Sequence, residues 1–264
     1  MEFRDETHSK WLTTIDFESW TDFKSHVSDH LLAQHREAAY GDLVYRGQGH
    51  ARWSLTASLD RLLKDVPTQV RQEAHKVMLS SFRERAKGDS PLPALDAEVL
   101  ALMQHYGAPT RLLDWSRSPY VAAFFAFSST SWIAAPKDEN EDPDRAVCAI
   151  YALNRKSPAL AAGAGVENVV TDVHRNLRAY HQWGSYTMNM SLYGCLEDYF
   201  SNYFSGPNLP EPTLWKFELP REQASIALRD LEMMGITSES LYLGWEGSAR
   251  YAFFRAIDAV GLLA

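Results

Sequence analysis

Residues 104–127 constrain the fold most, because they fix the end of one helix, a break and the start of another. The stretch Gln104-His105-Tyr106-Gly107-Ala108-Pro109-Thr110-Arg111-Leu112-Leu113-Asp114-Trp115 gathers many hydrogen-bonding side chains around a glycine and a proline. A helix over residues 95–106 has to stop there. Gly107 suits the left-handed position after a helix, and Pro109 lacks the N–H that another turn would need. Ser118-Pro119 then supplies an N-cap and first-turn pair for a strongly apolar helix over 120–127. A segment that served packing alone would not need so many polar groups at a bend. The block therefore reads as a binding site at a helix entrance, suited to an anionic or sugar-bearing ligand.

Helices and strands alternate along the rest of the chain. Apolar spacing predicts a helix over 17–37, with Thr21 or Asp22 as its cap. Residues 43–45 read as a short buried strand ending at the turn Arg46-Gly47-Gln48-Gly49. Helices follow at 57–63 and 68–87, and Pro91 and Pro93 break the second. Residues 136–145 form an acidic loop, 147–153 a strand, and 157–170 an Ala/Gly-rich mobile connection. A strand at 214–219 precedes a helix from Pro220 to near Gly235. Leu241-Tyr242-Leu243 reads as a last strand and residues 248–263 as a terminal helix. The sum is an α+β fold, a mixed or antiparallel central sheet surrounded by helices.

A chain of 264 residues, 45% of them hydrophobic, can bury a substantial core. Its net charge of −8 disfavours bulk nucleic-acid binding and attachment to an anionic membrane. A local basic patch is still open to Arg46, Arg52, Arg61 and Arg111. Two cysteines, Cys148 and Cys195, make no disulfide framework and fit a reducing compartment. The charged amino terminus is unlike a signal peptide, and no apolar run approaches ~18 residues, so a cytoplasmic protein without a membrane span is expected.

Several residues carry chemistry in this pattern. Arg46, at a strand end beside Gly47, can lie along a phosphate or ribose; it can equally pair with a carboxylate. His105 and Asp114 with Ser116 or Ser118 suggest a hydrolase triad, although no Gly-x-Ser-x-Gly elbow is present. Asp114 can instead fix the turn by accepting from amides or from Arg111. Thr110 and Arg111, after Pro109, can be aimed into a cleft. Ser116 and Ser118 can cap a helix or meet a phosphate or ribose. Gln182, amid Tyr180, Trp183 and Tyr186, can face a flat ring. Glu246, between Gly244 and Gly247, can stand free as an acid or sit on a helix dipole. Gly47-Gln48-Gly49 runs on to Arg52 rather than a third glycine, so it is no dinucleotide fingerprint. The scattered histidines and absent Cys-x-x-Cys argue against a metal site.

Tyr45-Arg46-Gly47, Trp53-x-Leu55 with Arg61, residues 104–115 and the Ala122–Ala126 segment together resemble the FRG domain family. Gln182-x-Gly184 and the turn from Gly235 to Gly247 extend the likeness over roughly residues 40–250. It implies one FRG-type domain over 1–264 with an N-terminal helical extension at 1–39. The tail differs, with Leu243-Gly244-Trp245-Glu246-Gly247 where the family shows a Pro-Asp-x-Asp-Gly-like run. A more distant resemblance is to ADP-ribosyltransferases of the Arg-Ser-Glu type, in which an early arginine, a Ser/Thr-rich strand before an Ala-rich helix, and a late glutamate share one site. It implies an ADP-ribosyltransferase-like fold with NAD as substrate and no metal. Arg46 would hold the pyrophosphate or nicotinamide ribose, Ser116 or Ser118 would brace the site, and Tyr106 or Tyr120 would stack on nicotinamide. Glu246, or Glu239 in its place, would stabilise the oxocarbenium-like transition state. The partners implied are NAD or a related nucleotide and a macromolecular acceptor, by analogy in a toxin or phage-defence setting. A non-catalytic nucleotide- or protein-sensing module is the alternative, and a hydrolase using His105 and Asp114 the third.

Overall fold

The computed structural model describes residues 6–8, 11–31, 42–86, 91–129, 146–161, 163–169, 177–205 and 213–260. Its layering follows from β5 (Val147–Asn154), a run with apolar side chains at both parities. Cys148, Ile150 and Ala152 enter one core, and Ala149, Tyr151 and Leu153 enter another. A strand apolar on both faces belongs inside a sheet covered on both sides.

The other strands are β1 (Glu6–His8), β2 (Leu12–Asp16), β3 (Leu43–Gln48), β4 (Leu112–Ser116), β6 (Val166–Val169), β7 (Gly184–Asn189) and β8 (Leu214–Pro220). The eight strands lie in the order β1-β2-β8-β5-β3-β4-β7-β6. β2 and β8 run parallel and every other neighbouring pair is antiparallel, so the sheet is mixed. Among the described residues the α-helices are α1 (Trp20–His26), which runs on into a π-helical turn (Val27–Leu31), α2 (Ser58–Leu62), α3 (Thr68–Arg85), α4 (Asp96–His105), α5 (Pro119–Phe127), α6 (Leu177–His181), α7 (Leu196–Tyr203), α8 (Ala224–Met233), α9 (Ser238–Leu241) and α10 (Trp245–Ala259). The fold is α+β, with a central mixed sheet flanked by helices.

Helix α5 is the centre of one layer. Ser118 caps it, accepting a hydrogen bond from the Val121 N–H at 3.3 Å, and Pro119 opens its first turn. Six of its nine residues are buried, among them Phe124 and Phe127, each contributing about 1.5–3 kcal/mol of hydrophobic stabilisation. The opposite layer places α7, with Tyr199 and Phe200, beneath Leu153 and Leu214. A third, smaller cluster joins α3 and α4 to β4, β6 and β7 through Leu79, Leu100, Met103, Leu112, Val169 and Tyr186.

Several local expectations hold. α4 ends before Gly107, whose φ of +86° is the left-handed value that favours glycine. Gly235, at φ +76°, follows α8 in the same way. Other expectations are corrected. The amino-terminal segment is not helical throughout, because Leu12–Asp16 pairs with β8 as a strand. Ser19, rather than Thr21 or Asp22, caps α1 by accepting from the Asp22 N–H. Residues 157–170 carry a short 3-10 turn, Pro158–Leu160, and strand β6. The apolar triplet at 241–243 is the end of α9 and a turn, not a strand. Leu241 and Tyr242 are buried by helix packing, and a Thr237/Ser240 capping box opens α9. The acidic stretch 136–145 lies outside the described residues.

Candidate functional site

The site originates in a local parting of the sheet. β3 pairs with β5 along six residues, and β4 with β7 along five. Between β3 and β4, among the described residues, one register pair is made, Tyr45 with Ser116. Beyond it the strands separate. The main-chain groups facing the gap need other partners, and the gap opens into a cleft of about 1130 Å³. Small-molecule sites span roughly 300–1,000 Å³, so the space suits a ligand of dinucleotide size.

Arg46 bridges the gap. Its Nη1 donates to the Asp114 main-chain oxygen at 2.8 Å and lies 3.9 Å from Asp114 Oδ2. Crowding by protein works against the Arg46 charge, and Asp114 restores part of it. The next residue, Gly47, faces the opposite side of β3, where the backbone of α5 leaves no room for a side chain. The Arg46-Gly47 pair thus combines a reaching side chain with the closest possible helix–strand approach.

Asp114 is held by a relay from the same motif. Thr110 Oγ1 donates to Gln104 Oε1, and Gln104 Nε2 donates to both Asp114 carboxylate oxygens at 2.7 Å. The carboxylate is more than half exposed, but it opens onto the interior of the cleft. Desolvation there raises its pKa above the usual carboxylate range, opposed by Arg46 and then Arg178.

The cleft is cationic although the protein is acidic. Arg46, Arg52, Arg61, Lys64, Arg178 and Arg250 line it, and among the described lining residues Asp114 is the one carboxylate. Arg178 and Arg250 lie over the Tyr242 ring, 4.7 and 4.3 Å from its centroid. Glu246 pairs with both, at 3.7 Å to Arg178 and 3.0 Å to Arg250.

Of the residues singled out by sequence, Arg46, Gly47, His105, Asp114, Ser116 and Gln182 come together on the cleft wall. Ser116 Oγ donates to the Gln182 main-chain oxygen at 2.8 Å, and Gln182 Nε2 donates to the Leu241 oxygen at 3.1 Å. The remaining seven are elsewhere. Thr110 and Arg111 are fully buried rather than aimed into the cleft. Arg111 Nε reaches Asp60 Oδ2 at 3.1 Å, and Arg71 takes the other oxygen of Asp60 at 3.3 Å. Ser118 is the N-cap described above. Tyr120 packs edge-on against Trp20 in the core, and Tyr106 is exposed away from the cleft lining, so neither is placed to stack on a ring in the cleft. Glu246 is outside the lining, and Glu239 accepts from Ser248. A His105–Asp114–Ser116 triad is not formed: Asp114 is engaged by Gln104 and Arg46, and Ser116 by Gln182.

Sequence reasoning missed Asp60, Lys64, Arg178, Arg250 and Tyr242. Asp60 carried no clear signal, since a carboxylate next to a core leucine on a helix is ordinarily solvated, and its burial against Arg111 and Arg71 emerges only in the fold. The Arg178–Tyr242–Arg250 arrangement carried none, since it joins α6 to α10 across sixty-odd residues of chain.

Fold and site define an α+β protein on a mixed sheet, with a large cationic cleft where two neighbouring strands part. Residues 41–132 match the family model of the FRG domain. No curated protein and no solved structure matches the chain. The matched stretch holds Arg46, Gly47, Asp60, Gln104 and Asp114; Arg178, Gln182, Glu246 and Arg250 lie beyond it. Among the described residues no helix is long and apolar enough to cross a membrane.

Proposed function

We propose that the cleft binds NAD or a closely related nucleotide through its phosphates, and that it transfers or hydrolyses ADP-ribose. The observation that carries this reading is the concentration of six cationic side chains around one carboxylate in a protein of net charge −8. Arg46 and the arginines near it would hold the pyrophosphate, and a planar guanidinium suits paired phosphate oxygens.

In this reading Asp114 takes the acidic role that the resemblance gave to Glu246, because Asp114 faces the space a substrate would occupy. Hydrolysis breaks the bond between ribose C1′ and the nicotinamide nitrogen. The bonding electrons leave with nicotinamide, the oxygen of water joins C1′, and the water proton passes to the Asp114 carboxylate. A carboxylate held above its ordinary pKa is a better base for that step, and its charge faces the developing oxocarbenium. Glu246 would hold Arg178 and Arg250 in place.

Purified protein incubated with NAD should release nicotinamide, read by chromatography. Asp114→Asn should lower the rate by about 100-fold or more while ADP-ribose still binds. A second reading, nucleotide sensing without turnover, is favoured by the engagement of Glu246 with two arginines: among the described residues no late glutamate lines the cleft wall. Binding without nicotinamide release would select it. Absence of both binding and release would overturn both.

A further inference from the structure

Two aromatic side chains of the cleft, Trp53 and Phe253, are about half exposed, and of these Trp53 lies on the motif-bearing wall among clustered cations. Trp53 lines the cavity, yet 45% of it is exposed. An indole left open in this way gives up hydrophobic stabilisation unless a ligand covers it. Its position is nevertheless fixed. Its main-chain N–H donates to the His50 main-chain oxygen at 3.2 Å, and Tyr151 Oη donates to its main-chain carbonyl at 3.4 Å. The His50 ring stacks beside it, with centroids 5.9 Å apart and planes 28° apart. His50 is itself held, since its Nδ1 accepts from the Arg52 N–H at 3.1 Å. The result is a flat indole on a hydrogen-bonded turn, braced on one side by the His50 ring.

The same stretch supplies charge. Arg52, Arg61 and Lys64 line the cleft within twelve residues of Trp53, and Arg61 Nη1 is oriented by donating to the Thr56 oxygen at 3.1 Å. A fixed aromatic plane beside clustered cations matches a molecule with a flat ring at one end and phosphate close by.

We infer that Trp53 is the nucleobase platform of the cleft: the base stacks on the indole while Arg52, Arg61 and Lys64 hold the adjoining phosphates. This rests on the nucleotide-binding reading above and adds which wall receives the base. For NAD or ADP-ribose the base is adenine, which leaves Arg46 on the far side of the pyrophosphate and the second ribose toward Asp114.

Calorimetry on the full chain with ADP-ribose and with inorganic pyrophosphate tests it. Stacking on one aromatic residue changes affinity by roughly tenfold or more. Trp53→Ala should weaken ADP-ribose binding by about that factor and leave pyrophosphate binding unchanged, and Trp53→Phe should restore most of the loss. Because the indole is half open, the variants should melt close to the parent protein, and a melting curve checks this. Parent protein that binds ADP-ribose, with Trp53→Ala binding it equally well, would overturn the platform and leave the nucleotide reading standing. Parent protein that binds neither compound would overturn the nucleotide reading and the platform with it.

Discussion

A Cβ built on Gly47 would stand 1.8 Å from the main-chain oxygen of Ala122, so β3 and α5 touch backbone to backbone. No side-chain rearrangement can relieve that contact, because the obstructing atoms belong to the helix itself, including the Ala126 nitrogen at 2.6 Å. Gly47→Ala should therefore cost about 3 kcal/mol or more, at the upper end of what overpacking produces. Urea unfolding measures it. A loss under about 1 kcal/mol would mean that the strand and helix separate more easily than this contact implies.

Arg111, conspicuous in the motif, belongs to the core. It shares the buried Asp60 carboxylate with Arg71, and Arg111 and Asp60 are both almost fully excluded from solvent. Removing one partner from such a set leaves an uncompensated buried charge, typically at a cost of 3–5 kcal/mol. Asp60→Ala should lower stability by about that much, and Arg111→Lys should not behave as a conservative change, because an ammonium cannot reproduce the contacts of Arg111 to both Asp60 and the Ser191 carbonyl. Denaturation midpoints at unchanged m-values check both.

These two cases show what was legible and why. Gly47, Pro119 and the apolar runs of β5 and β8 announce themselves locally, so β3, β5, β8 and α5 could be read directly, whereas the short strands β1, β2, β6 and β7 could not. β4 was harder. Asp114 and Ser116 break its apolar pattern, and residue by residue the segment looks like a bend; they are polar because the strand borders the gap where the sheet parts. Arg46 was recognisable as a candidate for the cleft wall from its place at a strand end beside glycine. Whether Arg111 or Asp114 faced the cleft was not, since two-residue periodicity cannot decide a face until the neighbouring strands are known. Residues 241–243 misled because three apolar residues suit a helix end packed into the core as well as a strand.

Asp114 gives the cleft a pH dependence. Its carboxyl binds a proton more tightly in the folded protein than in the unfolded chain. Its contribution to stability is therefore most favourable below the unfolded carboxylate pKa of about 3.9, and it declines as pH rises through the higher folded value. The charge facing an anionic ligand follows the same course. ADP-ribose should bind more tightly as pH falls through that raised pKa, and Asp114→Asn should flatten the trend. His105 lines the same cleft, so the decisive comparison is between parent and variant titrations by calorimetry. Identical profiles would remove Asp114 from the binding site.

Both cysteines should be chemically quiet. Burial pushes the Cys148 and Cys195 thiols up to about 12, leaving almost no thiolate at neutral pH. The native protein should react with a disulfide reagent at pH 8 far more slowly than the urea-unfolded chain. Rapid labelling of either thiol in the folded state would show that its surroundings open readily.

The account depends most on the cleft being an anion site organised by Arg46. Isothermal titration of ADP-ribose into the parent protein and Arg46→Ala, at low and at raised salt, tests that directly. The prediction is one-to-one binding by the parent that weakens with salt, and at least about a tenfold loss in the variant, since charge-assisted hydrogen bonds carry about 1.5–3 kcal/mol. Binding that is equally tight in Arg46→Ala, or no binding by the parent at either salt concentration, would contradict it.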